Sequence, residues 1–365
     1  MKQTFTENSL QQRALMFLAS LLVTASLMAQ ENRVKHIVTD IITHSIVDNT
    51  QEVFKETGEF IEKNLDEKDS LYISPNLYNF TIMPQFSNSF EYYRFSSGER
   101  EQSITLNPGF SNKFGLYLGW RWIFLGYSIN LDQSSPETDI NLSFYTSKIG
   151  FDLFYRKRSR GFEVQRLKGF YDNGKELKEY NHNFNGLTVR QKGFNVYYIF
   201  NNKQFSYPAA YSQSTNQRIS AGSFILGINY NEQSFDFDYH KFDPKIQSQL
   251  SPELKFNEVR YHDFSVNFGY SYNWVFAKNC LANISLTPAI GYKNTSLRLK
   301  SSKEFLSNIN IDFITRAAIV YNNSKYYAGA SIVSNTYSYN KKSLSIINTF
   351  GVINVYIGFN FWRRK

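Results

Sequence analysis

One stretch, residues 262–293, constrains the fold of this 365-residue chain more than any other. Every second residue over 264–276 is apolar or aromatic, and the residues between them are serine, asparagine, glycine and one valine. After a short break the alternation resumes over 282–292. Successive side chains of a strand point to opposite faces, so each run predicts a strand with one apolar and one small, polar face. Transmembrane β-barrels need strands of about 9–11 residues with an apolar outer face and a polar inner face.

The same alternation continues along most of the chain from Tyr78 to Phe361. We therefore predict an all-β fold, a transmembrane antiparallel β-barrel of about 12 strands, with about 10 or 14 as alternatives. The mean hydropathy of −0.41 does not contradict a membrane location, because a barrel with a wet interior averages to a polar value. A short strand is expected around Ile104. The segment from Ile140 to Tyr155 is read as one strand with a bulge near Ser147, where the alternation changes phase.

The links between the predicted strands are assigned to two sides of the membrane. A count that starts in the periplasm places the links at 122–123, 157–185 and 232–261 outside the cell, and those at 132–139 and 201–217 in the periplasm. Long links then lie mostly on the outer side, as is typical of outer-membrane barrels. The last of these links is too long for a simple turn, so we expect it to fold into the lumen.

The segment before the barrel has two parts. Residues 1–29 resemble a secretory signal peptide, because basic residues precede an apolar run that is shorter than the roughly 20 residues a spanning helix needs. Residues 30–77 are predicted to be a periplasmic or lumenal helical segment and lead-in, since apolar residues recur at helical spacing. Residues 78–362 then form the outer-membrane β-barrel.

The charge of the chain indicates which partners to expect. The net charge is +9 at pH 7, and +8 once residues 1–29 are removed. An exported basic chain meets lipid phosphates and anionic sugars, so we expect outer-membrane lipid and lipopolysaccharide as partners and no nucleic acid. The single cysteine, Cys280, allows no internal disulfide. The oligomeric state is left open.

Four short stretches resemble an uncharacterised family of Bacteroidota outer-membrane proteins, filed as a domain of unknown function (family 4421). They are YISPN at 72–76, YIFNNKQFSY at 198–207, SAGS at 220–223 and GYSYNW at 269–274. The resemblance spans roughly residues 69–361. It implies an outer-membrane barrel and no assigned activity.

The most specific part of the resemblance is Phe205, Ser206 and Tyr207, which lie in the long link at 201–217. We predict that these residues belong to a packed plug in the lumen, because the polar groups of a buried loop must be paired. Contact with a ligand is the alternative.

The chain ends in an aromatic-rich strand that carries Phe361 and Trp362. This ending resembles the terminal signal read by the barrel-assembly machinery, which is therefore a further expected partner. Three basic residues follow the aromatic pair, which departs from the usual signal.

The sequence contains no convincing catalytic set. A hydrolase needs a histidine within reach of a serine and held by a third group. His262, at a strand end near the outer leaflet, has no recognisable serine motif beside it. Asp236, Asp238 and Asp243 have a spacing that suits weak Ca²⁺ binding, but a solvated loop with aromatic residues at the lipid interface is the simpler interpretation. We therefore predict no catalytic residues, no cofactor and no metal site.

Charged residues on the predicted polar face are the candidate lumen charges. They are Glu91, Arg121, Asp152, Arg190, Lys192, Asp263, Lys293, Asp312 and Arg316. Both signs occur, so pairing across a narrow lumen is expected. Eight strands enclose only side chains and sixteen or more leave a channel, so about 12 strands predict a narrow or plugged pore.

Three functions remain open from the sequence. The first is an outer-membrane barrel of unknown cargo, either a narrow or plugged pore or a transport or structural barrel. The second is an outer-membrane lipid-modifying hydrolase. The third is a surface-binding barrel that acts through its long outer loops at 157–185 and 232–261.

Overall fold

The computed structural model describes most of the chain from Glu67 onward. The described ranges are 67–98, 101–120, 123–132, 137–177, 180–299, 303–341 and 344–363. The predicted signal peptide, the helical segment before residue 67 and Arg121 lie outside these ranges.

Within the described ranges the chain is almost entirely strand. The strands are β1 (Ile73–Pro75), β2 (Tyr78–Ser97), β3 (Gln102–Asn107), β4 (Ser111–Trp120), β5 (Ile123–Asn130), β6 (Glu137–Tyr145), β7 (Ile149–Arg158), β8 (Phe162–Lys168), β9 (Tyr171–Asp172), β10 (Lys175–Glu176), β11 (His182–Phe184), β12 (Leu187–Ile199), β13 (Thr215–Gln217), β14 (Ala221–Phe237), β15 (Phe256–Ala277), β16 (Cys280–Leu299), β17 (Lys303–Asn322), β18 (Tyr326–Lys341) and β19 (Leu344–Arg363). The helices are α1 (Tyr207–Tyr211) and α2 (Pro244–Gln249), and single 3₁₀ turns occupy Tyr239–Lys241 and Pro252–Leu254.

The long strands form one antiparallel sheet that follows chain order. Its path runs β5-β4-β2-β19-β18-β17-β16-β15-β14-β12-β7-β6. The pairing of β2 with β19, from Tyr78 with Arg363 to Ser97 with Leu344, joins the first long strand to the last. The described pairings include none between β5 and β6, so the number of strands in a closed barrel stays a prediction. The prediction of an all-β, antiparallel fold is confirmed.

The two faces of the sheet differ as the alternation predicts. In β15, Phe264 and Phe268 are 53% and 52% exposed, whereas Ser265 and Asn267 are each 1% exposed. Apolar side chains therefore cover the outside of the sheet, and small polar side chains line its inside. We call the end that holds Tyr78 and Arg363 the terminal end, and the opposite end the loop end.

Tight hairpins at the terminal end follow from local backbone chemistry. Lys278 and Asn279 form a two-residue loop between β15 and β16, and Asn279 has φ +64°. Asparagine enters this left-handed conformation more readily than most residues, because its short side chain bonds locally. Such loops fix the register of the strands that they connect.

One prediction about the strands is wrong, and a second is confirmed as a strand but not as one of the barrel strands. The phase change near Ser147 marks a hairpin and not a bulge: Tyr145 pairs with Gly150, and the Thr146 N–H donates to the Ile149 carbonyl. The alternation shifts because the chain reverses at that point. The short strand around Ile104 is β3, which pairs only with the loop-end part of β2 and with β8, and does not run along the wall of the sheet.

These two differences cancel in the strand count, because one predicted strand becomes two and β3 is not part of the wall. They also exchange the sides of the membrane that were predicted for the 122–123 and 132–139 links. The 122–123 link joins β4 to β5 at the terminal end, since Trp120 and Ile123 pair there and Trp120 also pairs with Phe80. β5 ends at Asn130 and β6 begins at Glu137, both away from the terminal end. A two-residue connection is too short for an outer loop and normal for an inner turn.

A designed disulfide tests the pairing of β2 with β19. The Ser87 hydroxyl donates to Asn354 Oδ1 at 2.8 Å, and the two residues face each other across the strands. Cysteines at both positions should form a disulfide because opposed residues in antiparallel strands lie about 4.5–5.5 Å apart. In a Cys280→Ser background, Ser87→Cys with Asn354→Cys should give a reducible mobility shift on a denaturing gel.

The matched control is Ser87→Cys with Val355→Cys, one residue further along β19. A shift of one residue moves the second thiol to the other face of the sheet, so no disulfide should form. Equal cross-linking of both pairs would contradict the observed register.

Candidate functional site

A segment that follows β12 folds inside the sheet at the terminal end. We call residues 200–220 the inner segment. It contains α1 and β13, and β13 pairs with β1 of the lead-in, with Ser74 opposite Asn216. The start of α1 is fixed locally, because Pro208 suits the first turn and the Ser206 hydroxyl accepts from the Ala209 N–H at 3.2 Å.

The predicted plug residues lie at the centre of the inner segment. Phe205, Ser206 and Tyr207 are at most 2% exposed. Asn273 of β15 donates to the Ser206 carbonyl at 2.8 Å, and the Tyr207 hydroxyl donates to Ser285 Oγ of β16 at 3.1 Å. These residues therefore pack against the inner wall of the sheet.

Further bonds fix the inner segment to distant strands. The Tyr211 hydroxyl donates to Asn283 Oδ1 of β16 at 2.6 Å, and Gln213 Nε2 donates to the Tyr356 hydroxyl of β19 at 2.8 Å. Burial raises the pKa of Tyr207, so its hydroxyl stays protonated and able to donate. Contacts to both β16 and β19 mean that the segment spans the interior.

A buried ion pair lies next to the inner segment. Arg316 Nη2 of β17 meets Asp152 Oδ2 of β7 at 2.6 Å, across the interior. Tyr145 donates to the same carboxylate at 3.2 Å. The guanidinium also faces the rings of Tyr197 and Tyr207, with its carbon 5.5 and 5.7 Å from their centroids. This cluster links the wall to the inner segment through one cation.

A second cluster lies nearer the loop end. Glu91 of β2 accepts from the Tyr93 hydroxyl at 2.6 Å and pairs with Arg158 of β7 at 3.2 Å. Arg156 lies 3.8 Å from the same carboxylate and stacks its guanidinium over Phe350, 4.5 Å from the ring centroid. Arg156 and Arg158 were not among the predicted lumen charges; their even positions in β7, opposite in phase to Phe151 and Leu153, carried the signal.

The third cluster is centred on Lys293 of β16, which is fully buried. Its ammonium donates to Asp312 Oδ1 at 2.9 Å and to the Ser338 carbonyl at 2.7 Å, and it lies 3.7 Å from Asp263 Oδ2. The rings of Tyr261 and Tyr337 flank it. Pairing with the ammonium offsets part of the cost of burying these two carboxylates, and for Asp312 hydrogen bonds from Lys293 and from the Ser338 N–H add to it.

The structure thus brings six of the predicted lumen charges together into these three clusters. It corrects the prediction for Arg190 and Lys192, whose side chains are 43% and 56% exposed on the outer face. Arg190 and Lys192 lie on the same face of β12 as Phe194, which points outward. They continue this face towards the loop end, past its last apolar residue.

An apolar core lies at the loop end. Aromatic rings from β2, β14 and β15 meet there: the centroid of Phe95 lies 5.3 Å from that of Phe237 and 5.6 Å from that of Phe256. Ile246 and Leu250 of the α2 region cover these rings. The aromatic residues of the 232–261 link therefore pack inward, which corrects the prediction that they lie at a lipid interface. We call this core and the links over it the cap.

Polar clamps hold the cap in place. Gln102 of β3 donates to the Gln249 carbonyl at 2.9 Å and accepts from the Ser251 N–H at 2.9 Å. The Tyr180 hydroxyl donates to Asp243, and partial burial with this carboxylate raises the pKa of Tyr180 to about 12. The 157–185 and 232–261 links are thereby tied to each other and to the wall.

The aspartates of the cap have protein partners. Asp236 pairs with Arg190, Asp238 accepts from the His240 N–H, and Asp243 accepts from Tyr180. Among the described residues no group of three or more histidine, cysteine or acidic side chains is arranged to hold a metal ion.

A double-mutant cycle tests the Arg316–Asp152 pair. Arg316→Leu leaves a largely buried carboxylate without its cation and should lower the free energy of unfolding by about 3 kcal/mol. Arg316→Leu with Asp152→Leu should lower it by less, because no unpaired charge remains. Urea unfolding of the protein in lipid vesicles measures both effects.

The control is Lys245→Gln, which breaks the exposed pair with Asp172 in the cap. It should cost less than about 1 kcal/mol, as exposed pairs do. An Arg316→Leu effect as small as this control would contradict the role of the buried pair.

The architecture defines a class of protein. Within the part of the chain that the structure describes, no helix has the length and apolar character needed to cross a membrane. An antiparallel sheet with an apolar outside, a polar inside and paired first and last strands is that of a transmembrane β-barrel protein. Residues 67–361 match the family described as Domain of unknown function (DUF4421), and the chain belongs to this family.

The chain is also similar in structure to several solved proteins. The outer membrane protease OmpT from Escherichia coli is 8% identical, with 80% of this chain and 99% of OmpT covered and a TM-score of 0.36. The translocator domain of the autotransporter NalP from Neisseria meningitidis is 6% identical, with 87% and 100% covered and a TM-score of 0.33. The P. putida toluene transporter TodX is 9% identical, with 78% and 91% covered and a TM-score of 0.29. No functionally curated protein matches the sequence.

Proposed function

We propose that this chain is an outer-membrane β-barrel whose interior is plugged, and that it acts by presenting its ordered cap at the cell surface. It is a surface-binding barrel and not an open conduit. The single observation that carries the proposal is that buried side chains pack inside the sheet at both ends, around Phe205 and Tyr207 of the inner segment at one and in the apolar core of the cap at the other.

The outer-membrane location is supported by the outward face of the sheet. In β15 and β16 large apolar residues such as Val266, Phe268 and Ile284 remain about half or more exposed, although the residues between them are buried. Water does not favour a continuous apolar band of this size on a monomer, whereas hydrocarbon does. Outer-membrane lipid and lipopolysaccharide are the proposed surroundings of this band.

The predicted signal at 1–29 and the terminal aromatic strand agree with this location. Phe361 stacks on Phe80 with ring centroids 5.6 Å apart, so the last strand joins the first through its side chains as well as its backbone. We propose the barrel-assembly machinery as the partner that inserts this strand pair.

The middle of the barrel does not supply a passage. Arg316 and Asp152 reach across it from opposite strands, and a solute that passed them would have to break a buried ion pair. The cap, in contrast, combines fixed links with exposed side chains. Because the cap is already ordered, it loses less conformational entropy when a partner binds, and this favours binding.

The hydrolase alternative has no comparable support. His262 lies on the outer face, where its Nδ1 is 2.9 Å from the Tyr230 hydroxyl and 3.9 Å from Glu232. Tyrosine and glutamate can orient a histidine, but they do not supply the serine nucleophile that this reaction requires.

Planar-bilayer conductance tests the plugged interior. The wild-type protein should show no stable conductance steps. Deletion of 205–216 should also leave the bilayer closed, because the cap still fills the loop end. Deletion of 205–216 together with 239–254, combined with Arg316→Ala and Asp152→Ala, removes the obstructions at both ends and the ion pair across the middle, and should give steps.

Deletion of 239–254 alone serves as the matched control, since the inner segment remains. Retention of β-sheet circular dichroism in detergent shows that each variant is folded. Stable steps from the wild-type protein would contradict the proposal and would favour a pore.

A further inference from the structure

Outward-facing ion pairs lie at the loop end of three neighbouring strands, β12, β14 and β15. Lys192 Nζ meets Glu232 Oε2 at 2.9 Å, Arg260 Nη2 meets Glu258 Oε1 at 2.9 Å, and Arg190 meets Asp236. We call these six residues the charged collar. They line one patch, because Lys192 pairs in register with Glu232, and Ser234 pairs with both Arg190 and Arg260.

The two charges of each pair are not equally exposed. Lys192 is 56% exposed and its partner Glu232 is 21% exposed. Arg260 is 46% exposed and its partner Glu258 is 18% exposed. Arg190 is likewise more exposed than Asp236. The carboxylates therefore lie closer to the sheet and hold the cations, which present their outer surface to the surroundings.

The position of the collar along the strands is set by the apolar band. Phe194, Tyr230 and Phe264 are the last large aromatic residues on the outward faces of the three strands. The collar begins two residues beyond them on β12 and β14, at Lys192 and Glu232, and four residues beyond on β15, at Arg260. Two residues advance about 6–7 Å along a strand and four about 13 Å, and strand tilt reduces these to roughly 5 and 10 Å along the membrane normal. The backbones at Lys192 and Glu232 therefore lie inside the headgroup layer of a bilayer, and those at Arg190 and Arg260 lie just beyond it, within the reach of an arginine side chain.

We propose that the charged collar binds the phosphate groups of an outer-leaflet lipid headgroup. This inference rests on the membrane location proposed above. Guanidinium groups suit it, because their planar set of donors matches phosphate oxygens in a two-point contact, while the ammonium of Lys192 adds a point charge. Arg190 and Arg260 lie on either side of one strand, with backbones about 10 Å apart, so their long side chains reach a single headgroup.

The carboxylates of the collar have a positioning role. Without them, the three cations would repel one another in the unliganded protein. Glu232, which also lies 3.9 Å from His262, is the most central of them. The pairs fix the direction of the cationic groups, so less side-chain entropy is lost when a phosphate binds.

Native mass spectrometry of the full-length protein in detergent, titrated with lipid A and with dephosphorylated lipid A, tests the proposal. The wild-type protein should bind the phosphorylated form more tightly. Arg190→Gln, Lys192→Gln and Arg260→Gln combined should weaken binding of lipid A roughly 100-fold, since each cation near a membrane surface contributes about 1 kcal/mol, or about fivefold. Glu232→Gln with Glu258→Gln should weaken binding of lipid A by less than the triple variant does, because the cations remain but are no longer held in place.

The control combines Lys168→Gln, Lys203→Gln and Lys245→Gln, three exposed and ion-paired lysines outside the collar. It removes the same charge and should bind lipid A as the wild type does. Equal binding by the collar and control variants, or equal binding of the two lipid forms by the wild type, would overturn the proposal. Failure of the wild type to enter detergent micelles would instead contradict the membrane location itself.

Discussion

A strand in hydrocarbon has to pair every backbone N–H and C=O with a neighbouring strand, while its side chains alternate between lipid and interior. That constraint governs the rest of this structure. It makes the long strands pair in chain order, and it brings β2 against β19 over their whole length. It also sends one residue in two inward, including charged ones, so every inward charge needs a partner inside. Arg316, Lys293 and Glu91 each have one, contributed by a different strand.

The interior is consequently arranged in layers. Ion pairs and amide side chains occupy the middle, and buried aromatic groups pack at both ends: Phe205 and Tyr207 at the terminal end, and Phe95 and Phe237 at the loop end. Buried ion pairs gain strength when water is excluded, because the local dielectric is low, but they are costly if one partner is missing. The apolar ends provide this exclusion. In the proposed function, the same packing that stabilises the charges also blocks passage, so the cap and not the lumen is the proposed site of action.

Much of this arrangement follows from the sequence because alternation is a local property. The outward face of β15 and the inward charges Asp263 and Lys293 are predicted by phase alone. Three features are not. A phase change gives the same pattern for a bulge and for the turn at Ser147. Phe237 is aromatic whether it meets lipid or a cap core. Arg190 has the same phase as the outward-facing Phe194. A charge at that phase can be assigned to the outer face only if it is known to lie beyond the lipid band, and the height of that band depends on how the strands pair.

The most direct test of the central claim is site-directed spin labelling of the protein in lipid vesicles. Single cysteines replace Val266, Phe268 and Ile284 on one face and Ser265, Asn267 and Ser285 on the other, all in a Cys280→Ser background. Oxygen dissolved in the acyl chains should increase the spin-relaxation rate of the first three labels, and a water-soluble nickel chelate should not. Neither reagent should affect the second three labels. Nickel access at 266, 268 and 284 equal to that of a cap residue would contradict the account.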